Sequence, residues 1–600
     1  MHNQTIDFSS LAHQDVGLPS IMLDDEGVEI ARFALDKRAP ITYQQLPKHL
    51  VYAFVAAEDW SFFSHVGISW KGIIRSILVN IYHGKKVQGA STITQQLIKL
   101  LFLNSQKKWT RKIKEQLFAL IVEQQFTKEQ ILETYLNNVY FGYGIYGVEA
   151  ASQRLWGKSC GDLTLDESAV LAAIIRSPGN YNPFVYPLST QRRRNLILGQ
   201  MKKLQFISPE EYEQAVTTPL QITHTANEQN APYAIQIISA QVERLVGKHQ
   251  LYSGGLVIQT TLNKKMQKDA EQSFQEHIAR LKQKMMPEID GALISMSVKT
   301  GEIKALIGGT SYAQSKFNRA WHAKRQLGSI FKALIYSAAI EQNAHFFNTE
   351  VDEPLEIKSH GTVWRPRNYN LQFDGQMTLA HALSYSNNIV AIKTLLKVGA
   401  ENVIELARQC GITAPMYPFP SLALGCVDTT LKEAVGMLNV FANDGLYQEP
   451  HLIKWIKNKW GTKIFVQSHT SKRVVSSQVA GQVNKVLQLS FERYRKISGS
   501  NLPTQVISKT GTTNESRTCW FIGATPELIT GLYIGCDDNR SMGENVFPLR
   551  TAFPIWISFN RKCAINTPQF DLNPNLKEIR INEWTGQLAL SHEKGIAILV

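Results

Sequence analysis

The run Gly328-Ser329-Ile330-Phe331-Lys332 is followed by apolar residues at helical spacing: Leu334, Ile335, Ala338 and Ala339. This pattern predicts that Ser329 lies near a helix N-terminus, with Lys332 one turn away on the same side. A serine hydroxyl becomes a nucleophile when a base takes its proton, and a desolvated lysine near another cation can be that base. Lys509 could supply the second cation. Taken alone, Ser-x-x-Lys is more commonly a helix cap followed by a surface lysine.

Two further motifs follow the Ser329 run in the sequence. Ser386-Asn387-Asn388 supplies Ser-x-Asn, and Lys509-Thr510-Gly511-Thr512-Thr513 follows a predicted strand over 505–509. The three motifs in this order resemble those of penicillin-binding proteins and class A β-lactamases. Flanking segments match as well: Phe317-Asn318-Arg319-Ala320, Arg325-Gln326 and Asn368-Tyr369. One difference is Thr518-Cys519-Trp520, where the family often has Asp-Ala-Trp, so an acidic side chain is missing.

The resemblance implies a role for each motif residue. Ser329 would be the acylated nucleophile, Lys332 its base, Ser386 a proton relay and Asn388 a holder of the substrate amide. The peptide carboxylate would bind at the third motif, and the Ser329 and Thr512 amides would form the oxyanion hole. The predicted carboxylate-binding residues are Lys509, Thr510, Gly511 and Thr512.

A helical region precedes these motifs, with apolar spacing of 3.6 residues over 47–60, 68–82, 111–126, 128–139 and 165–176. Within it, Glu58 follows Phe54 and Val55 by one turn, on the face that should be buried. Glu115 lies among basic residues and has apolar neighbours one turn on. An ion pair between Arg111 and Glu115, or a helix cap, would explain that acid without a function. The alternative is that one carboxylate is a general base while the other, with cations or a metal, binds an anionic leaving group.

The formal net charge of +14 is concentrated over residues 71–114, which hold ten Lys or Arg and no acid. Such a field suits phosphates, anionic lipid or nucleic acid, or it is simply a solvated face. Aliphatic residues accompany the charges and stacking aromatics are scarce, which favours a membrane surface over nucleic acid. The basic residues are Lys71, Arg75, Lys85, Lys86, Lys99, Lys107, Lys108, Arg111, Lys112 and Lys114.

Four motifs over this region together resemble the peptidoglycan glycosyltransferase domain of class A penicillin-binding proteins. They are Glu58-Asp59-x-x-Phe62-x-x-His65-x-Gly67; Gly89-x-Ser91-Thr92-x-x-Gln95-Gln96-x-x-Lys99; Arg111-Lys112-x-x-Glu115; and Tyr135-Leu136-Asn137 with Phe141-Gly142-x-Gly144-x-Tyr146-Gly147.

This second resemblance implies that Glu58 deprotonates the acceptor sugar hydroxyl, which attacks a lipid-pyrophosphate-linked sugar with inversion. Glu115 would bind a divalent metal, Mg or Mn, and together with Lys99 and Arg111 would stabilise the departing pyrophosphate. Leu100 stands where the family usually has Asn, which affects substrate positioning, and His65 receives no catalytic role. The other predicted substrate-binding residues are Ser91, Gln95 and Gln96.

These observations predict a multidomain chain. A segment over 1–45 precedes a mostly-α, lysozyme-like glycosyltransferase domain over 46–185, and an α/β linker region covers 186–288. An α/β penicillin-binding transpeptidase domain over 289–562 has an antiparallel sheet flanked by helices, and a tail covers 563–600. The sheet joins an early hairpin, 292–298 and 303–307, to late strands over 505–509, 520–523 and 528–534.

Composition limits the remaining possibilities. With 44% hydrophobic and 19% charged residues, the 600-residue chain is neither disordered nor collagenous. Six dispersed cysteines indicate neither a disulfide framework nor a structural metal site. No apolar run reaches signal-peptide or membrane-span length, so we expect that the sequence as written neither crosses a membrane nor directs its own export. Because the family is anchored by one N-terminal helix, we expect a truncated or misassigned start, or attachment through the aliphatic and basic surface.

We therefore predict a bifunctional peptidoglycan synthase on the outer face of the bacterial cytoplasmic membrane. It would polymerise lipid II into glycan strands and cross-link stem peptides through an acyl-serine that β-lactams block. Expected partners are lipid II, nascent glycan, stem peptides, β-lactams, the membrane surface and cell-wall synthesis proteins, with no nucleic acid. The alternatives are an acyl-serine DD-carboxypeptidase or β-lactamase, a non-catalytic envelope scaffold, and a basic nucleic-acid binder, which would show steep salt dependence.

Overall fold

The computed structural model describes most of the chain. The described residues are 18–33, 41–70, 72, 74, 91–102, 109–142, 145–184, 186–222, 231–359, 362–468, 471–499, 502–544, 546–563, 567–590 and 592–600. They form two compact units. Unit 1 is drawn from Met1–Ile21, Arg32–Gln229 and Val246–Leu256, and unit 2 from Met22–Ala31, Asn230–Leu245 and Val257–Val600.

The α-helices of the described residues fall into an early group and a late group. The early helices are α1 (Lys48–Glu58), α2 (Ile93–Phe102), α3 (Trp109–Gln125), α4 (Lys128–Asn138), α5 (Val148–Trp156), α6 (Leu165–Ile174), α7 (Pro187–Lys203), α8 (Pro209–Thr217), α9 (Pro232–Val246), α10 (Lys248–Ser253) and α11 (Lys264–Lys284). The late helices are α12 (Arg319–His322), α13 (Lys332–Glu341), α14 (Leu379–Tyr385), α15 (Asn388–Val398), α16 (Ala400–Gln409), α17 (Leu431–Ala442), α18 (Ser477–Ser498) and α19 (Ala552–Asn560).

Within the described part of the chain, the strands form two five-stranded sheets and several two-stranded pairs. The first strands are β1 (Ser20–Leu23), β2 (Glu29–Phe33), β3 (Tyr140–Gly142), β4 (Ile145–Tyr146), β5 (Val257–Thr260), β6 (Asp290–Ser297), β7 (Ile303–Ile307), β8 (Arg325–Gln326), β9 (Thr349–Asp352), β10 (Ile357–Ser359) and β11 (Thr362–Trp364). The others are β12 (Gly375–Thr378), β13 (Asp428–Thr429), β14 (Leu446–Tyr447), β15 (Ile453–Lys457), β16 (Lys463–Val466), β17 (Lys472–Arg473), β18 (Ile507–Thr512), β19 (Thr518–Ala524), β20 (Leu528–Gly535), β21 (Glu578–Ile581) and β22 (Ile596–Leu599).

Unit 1 is mostly helical, as predicted. Helices α1, α3, α4 and α6 confirm the periodic segments 47–60, 111–126, 128–139 and 165–176, whereas most of 68–82 lies outside the described residues. Capping boxes fix the starts of α4 and α6: Thr127 pairs with Gln130, and Thr164 with Glu167. One apolar core unites these helices, and its fully buried members include Leu50, Phe54, Leu97, Leu132 and Leu171.

Unit 2 is built on an antiparallel sheet of order β18-β19-β20-β6-β7. The predicted hairpin β6–β7 therefore joins the predicted late strands, although β18 runs over 507–512 and so extends beyond the predicted 505–509. Apolar side chains of α11 and α19, such as Phe274 and Trp556, share a core with Phe521 and Leu532 of the sheet. Helix α17 closely approaches the sheet at Gly531. The sheet is thus flanked by helices, as expected.

Regular structure is also present on both sides of that domain. The region 186–288, predicted as a linker, contains α7 to α11 and β5, and β5 belongs to the second sheet of order β16-β15-β5-β1-β2. In the tail, β21 pairs with β22 in an antiparallel ladder. All six cysteines are free. Among the described residues, no helix combines the length and apolarity needed to span a bilayer.

The turn that carries Ser329 is packed closely against a second turn. Gly328 donates its N–H to the carbonyl oxygen of Gly425 at 3.1 Å, and Gly425 has a φ of +70°. A Cβ on Gly425 would overlap the carbonyl oxygen of Gly328. Glycine is therefore required at 425 both by its left-handed backbone and by the absence of space.

We expect Gly425→Ala to lower the free energy of unfolding by about 3 kcal/mol or more, because left-handed strain adds to backbone overlap. Gly461→Ala is the matched control, since Gly461 has a φ of +82° and open space where the Cβ would lie. The free energy of unfolding of this control variant should fall by only about 1 kcal/mol. Calorimetric melting of the full chain measures both, and equal losses would contradict the argument from overlap.

Candidate active sites

Ser329 lies in a 3₁₀ turn, Gly328–Phe331, that continues directly into α13. The turn lies beside β18: a Cβ built on Gly511 would be 2.6 Å from the carbonyl oxygen of Leu327, and one on Gly328 would be 3.2 Å from that of Thr512. Fold geometry thus brings the first motif next to the third. Ser329 is half-buried, and among the described residues no hydrogen bond joins its hydroxyl to either motif lysine.

Lys332 is completely buried at the start of α13. Its Nζ donates to the Ser386 carbonyl oxygen at 2.6 Å and to Asn388 Oδ1 at 2.7 Å, and lies 3.4 Å from Ser386 Oγ. Burial and then the charge of Lys509 lower the pKa of the Lys332 amine well below its usual value. The structure therefore brings the first and second motifs together around an amine that loses its proton easily.

Lys509 approaches the same serine from β18. Its Nζ, also buried, donates to Ser386 Oγ at 2.9 Å and to the Thr510 carbonyl oxygen at 3.2 Å. Burial, followed by the charge of Arg493, lowers the pKa of Lys509 to about 7. Ser386 itself has a φ of +63°, a left-handed conformation for a non-glycine residue. The Ser386 hydroxyl thus lies between two amines, where a proton relay would have to be.

A buried carboxylate that the sequence did not reveal supports the second motif. Asp352 accepts hydrogen bonds from Asn368 Nδ2 at 2.8 and 2.9 Å, from Asn387 Nδ2 at 2.8 Å and from the Asp374 N–H at 2.9 Å. Asn368 Oδ1 in turn accepts the Asn388 N–H at 2.9 Å. Asn368-Tyr369 in the sequence was one signal of this network, whereas no local pattern identifies Asp352.

The third motif is held by α18 and by its own strand. The Tyr494 hydroxyl lies 2.8 Å from Thr510 Oγ1, and burial raises the pKa of that tyrosine. Thr518, where the family often has aspartate, is buried and donates its N–H to Thr513 Oγ1 at 2.9 Å. The Thr518 hydroxyl has no hydrogen-bond partner among the described residues. A neutral side chain therefore replaces a charge beside the motif.

In unit 1, Glu58 is the last residue of α1 and its side chain is held by a relay of hydrogen bonds. Gln96 Nε2 donates to Glu58 Oε2 at 2.8 Å, and the Tyr135 hydroxyl donates to Gln96 Oε1 at 3.2 Å. Burial raises the pKa of the Glu58 carboxyl, although Gln96 and two arginines, Arg176 and Arg193, oppose the rise. Glu58 is therefore a more basic carboxylate than an exposed one.

Asp59 and His65 position the helix that carries Gln96. Asp59 Oδ2 accepts the N–H of Ile93, the first residue of α2, at 3.0 Å and lies 2.8 Å from His65 Nε2. His65 Nδ1 accepts the Gly67 N–H at 3.0 Å, so the proton of a neutral ring lies on Nε2 and points to Asp59. A carboxylate at the positive end of α2 is also favourable. Asp59 and His65 thus hold the start of α2 in place.

Glu115 is 2% exposed and only one of its oxygens is paired. Lys112 Nζ contacts Glu115 Oε1 at 2.6 Å and donates to Ser91 Oγ at 3.1 Å. Glu115 Oε2 is buried without a hydrogen-bond partner among the described residues. The observed ion pair is therefore formed with Lys112 at i−3, while the side chain of Arg111 lies outside the described residues.

The remaining predicted residues of unit 1 lie along α2. Lys99 is exposed, whereas Gln95 is buried and its Oε1 accepts the Thr92 N–H at 3.4 Å, so Gln95 caps the helix. Gly89 and Gly144 of the motifs lie outside the described residues.

Within the described ranges, no group of three or more His, Cys, Asp or Glu could hold a metal ion. The unpartnered Glu115 Oε2 is suited to act as a single protein ligand of a divalent cation whose coordination is completed by substrate phosphates.

Both sites lie in regions of the chain that match known protein families. A family model described as Transglycosylase matches residues 26–202, and one described as Penicillin binding protein transpeptidase domain matches residues 291–531. Penicillin-binding protein 1A of Aquifex aeolicus is 33% identical over 96% of this chain and 90% of its own length. Penicillin-binding protein 1B of Haemophilus influenzae is 34% identical over 84% of this chain and 66% of its own. The crystal structure of penicillin-binding protein 1A from Haemophilus influenzae has a TM-score of 0.63 at 23% identity, and the alignment covers 98% of each chain.

Fold and sites together define an enzyme that joins a peptidoglycan glycosyltransferase to a serine-type D-Ala-D-Ala transpeptidase. The chain belongs to the class A, bifunctional penicillin-binding proteins.

The Asp352 network makes a direct prediction about the second motif. Asp352→Asn removes a charge and places an amide donor among groups that already donate. We therefore expect the free energy of unfolding to fall by about 2–4 kcal/mol and Ser386 and Asn388 to be misplaced. Acylation by fluorescent penicillin should slow in parallel. Asp374→Asn is the control: its side chain is exposed, and we expect a change under about 0.5 kcal/mol. Unaltered melting and labelling of Asp352→Asn would contradict the role given to this carboxylate.

Proposed function

We propose that unit 1 polymerises lipid II with Glu58 as the base, and that unit 2 cross-links stem peptides through an acyl group on Ser329. The observation that carries the second half is the Ser386 hydroxyl between two buried amines of depressed pKa. An amine without its proton is the one form of lysine that can accept the serine proton, and burial is the physical means of obtaining it near neutral pH.

In the proposed transpeptidation, Lys332 takes the Ser329 proton while Oγ attacks the carbonyl carbon of the penultimate D-alanine. Backbone amides of Ser329 and Thr512 bind the resulting oxyanion. The C–N bond then breaks, the departing amine takes a proton through Ser386, and an ester to Ser329 remains. An amine of a second stem peptide attacks the ester and releases Ser329. Asn388 holds the donor amide, and Lys509, Thr510, Gly511 and Thr512 bind its carboxylate.

The choice of acyl acceptor separates transpeptidation from the DD-carboxypeptidase alternative. Water as acceptor would release a shortened stem peptide, whereas an amine would yield a cross-linked dimer. The glycosyltransferase unit in the same chain favours the amine, because newly polymerised strands are substrates for cross-linking. Chromatography of digested polymer distinguishes the two products.

In the proposed glycosyl transfer, Glu58 takes the proton of the acceptor hydroxyl, whose oxygen forms a bond to the anomeric carbon of the donor. The bond from that carbon to the pyrophosphate oxygen breaks with inversion, and the lipid pyrophosphate leaves with the electron pair. Lys99, Arg111 and the pair Lys112–Glu115 would face the negative charge that develops there. Gln96 holds Glu58, Gln95 caps the start of α2, and Ser91 accepts a hydrogen bond from Lys112.

A divalent cation, Mg²⁺ or Mn²⁺, would supply charge neutralisation for the pyrophosphate. Glu115 would be its protein ligand through Oε2, since hard cations prefer carboxylate oxygen and are commonly shared with substrate phosphates.

Because its substrate is lipid-linked, the enzyme would work at the outer face of the cytoplasmic membrane. The remaining proposed partners are stem peptides, nascent glycan, β-lactams and cell-wall synthesis proteins.

Two substitutions should separate the activities. Glu58→Gln should reduce lipid II polymerisation about a hundredfold or more, because the general base is lost, and leave fluorescent penicillin labelling unchanged. Ser329→Ala should abolish labelling and leave polymerisation of lipid II intact. Gel analysis of labelled lipid II and of penicillin adducts measures both. If wild type and Glu58→Gln were equally inactive on lipid II and penicillin left no adduct, a non-catalytic scaffold would be the better explanation.

The two lysines predict a bell-shaped pH dependence of kcat/KM for acylation by penicillin. Activity should fall at acid pH because protonated Lys332 accepts no proton. It should also fall above about pH 7 because Lys509 loses its proton and with it the positive charge that binds the carboxylate. Lys509→Arg keeps the charge at all these pH values, so its alkaline limb should disappear. Stopped-flow acylation between about pH 5 and 9 measures the profile, and an unaltered alkaline limb in Lys509→Arg would exclude Lys509 as its source.

A further inference from the structure

A stack of flat side chains runs from the C-terminal tail to the helix beside the transpeptidase site. Trp584 lies 4.4 Å from His381, the His381 ring is parallel to that of Tyr385 at 4.2 Å, and the Arg493 guanidinium lies 4.4 Å from the Tyr385 centroid. Tyr385 is 49% exposed and directly precedes Ser386 in the sequence. The stack therefore ends at a cation close to the second motif.

The tail fixes the other end of this stack. The Glu583 carbonyl oxygen accepts the N–H of Thr378 at 3.0 Å and its hydroxyl at 2.8 Å, and Thr378 caps α14. Glu583 Oε2 lies 2.8 Å from His381 Nδ1. Because both His381 and Tyr385 are on α14, these bonds hold the rings in place without any contribution from Arg493. The surface under the guanidinium is thus preorganised.

Arg493 carries a charge that the described residues do not neutralise. Its neighbour Arg495 is paired with Glu492, whereas no salt bridge within the described ranges includes Arg493. The adjacent Tyr494 binds Thr510, which ties this part of α18 to β18. Arg493 is also close enough for its charge to lower the pKa of Lys509. Two cations therefore share this region, one buried and one exposed.

The charged and titratable groups around Lys509 come from three elements. Lys332 faces it from α13, Arg493 and Tyr494 from α18, and Ser386 lies between the two lysines. The Asp352 carboxylate accepts hydrogen bonds from Asn368, Asn387 and the Asp374 N–H, and among the described residues it forms no hydrogen bond or ion pair with either lysine. The uncompensated charge favours an anionic ligand at this end of the site.

We propose that Arg493, held on the Tyr385 ring, is the outer cation of the carboxylate pocket and selects acyl donors that carry a free carboxylate. This inference rests on the proposed acylation of Ser329. A guanidinium binds a carboxylate through paired N–H groups and stacks on an aromatic ring at the same time, so it needs little ordering when the ligand arrives. The ordinary alternative is a surface arginine that merely covers Tyr385.

The test compares two thioester donors, an N-acyl-D-alanyl thioglycolate with a free carboxylate and its neutral methyl ester. For Arg493→Gln, acylation of Ser329 by the carboxylate donor should slow about tenfold, the effect of one lost charge-assisted contact. Acylation by the ester should change less than about twofold. Arg493→Lys should recover part of the rate. Arg495→Gln, two residues on, is the matched control and should behave as wild type with both donors.

The alkaline limb of the pH profile gives an independent readout. Without the Arg493 charge, Lys509 should retain its proton to higher pH, so that limb should move upward in Arg493→Gln and stay in place in Arg493→Lys. In Tyr385→Leu the preference for the carboxylate donor should weaken, whereas the pH of the alkaline limb should move less than it does in Arg493→Gln.

The inference is wrong if Arg493→Gln slows acylation by both donors equally, or if wild type and Arg493→Gln each react with both donors at the same rate. It is also wrong if the alkaline limb and the donor selectivity are both unchanged in Arg493→Gln. Absence of any acylation of wild-type Ser329 would instead refute the proposed function.

Discussion

The removal of two lysine amines from water is the constraint on which the transpeptidase site depends. Lys332 and Lys509 are both buried, and both lie within reach of one hydroxyl, that of Ser386. Two ammonium groups so close in a poorly solvated place repel each other, so the pair holds fewer protons than two exposed lysines would. The fold must therefore supply the precision that keeps both amines there. It does so through the close backbone approach of the Ser329 turn to β18 and through the Asp352 network.

Desolvation has the opposite sign at the two sites. It lowers the pKa of the amines in unit 2 and raises that of Glu58 in unit 1, so in both places it favours the neutral form of the group. The two acids of unit 1 differ in their partners. Glu58 is held by the neutral amide of Gln96, whereas Glu115 is paired with the cation of Lys112. Glu58 is the carboxylate that burial makes more basic.

Local sequence patterns predicted those parts of the structure that local physics decides. The periodic helices α1, α3, α4 and α6 and the hairpin β6–β7 were found because side-chain period sets which face is buried. The short motifs singled out Lys332 and Lys509, and the structure brings both amines to the Ser386 hydroxyl. Asp352 could not be found, since its donors are contributed by residues 16 to 35 positions away. The pair between Lys112 and Glu115 was not predicted for a related reason: Arg111, Lys112 and Lys114 all lie within about one turn of Glu115, and their spacing does not choose among them.

The tail shows why sequence position is a poor guide to where a residue acts. Strand β22 packs against α18, and Glu583 binds the cap of α14, so residues at the end of the chain support the two helices that flank Ser386 and β18. The contacts that hold both helices are long-range: Glu583 lies 202 positions after His381 of α14, and β22 begins at Ile596, far beyond the end of α18 at Ser498. A motif serine in a left-handed conformation needs such support, since the strained backbone persists only where the surroundings hold it. The chemistry of the site is therefore encoded in three short motifs, but its geometry depends on the entire unit.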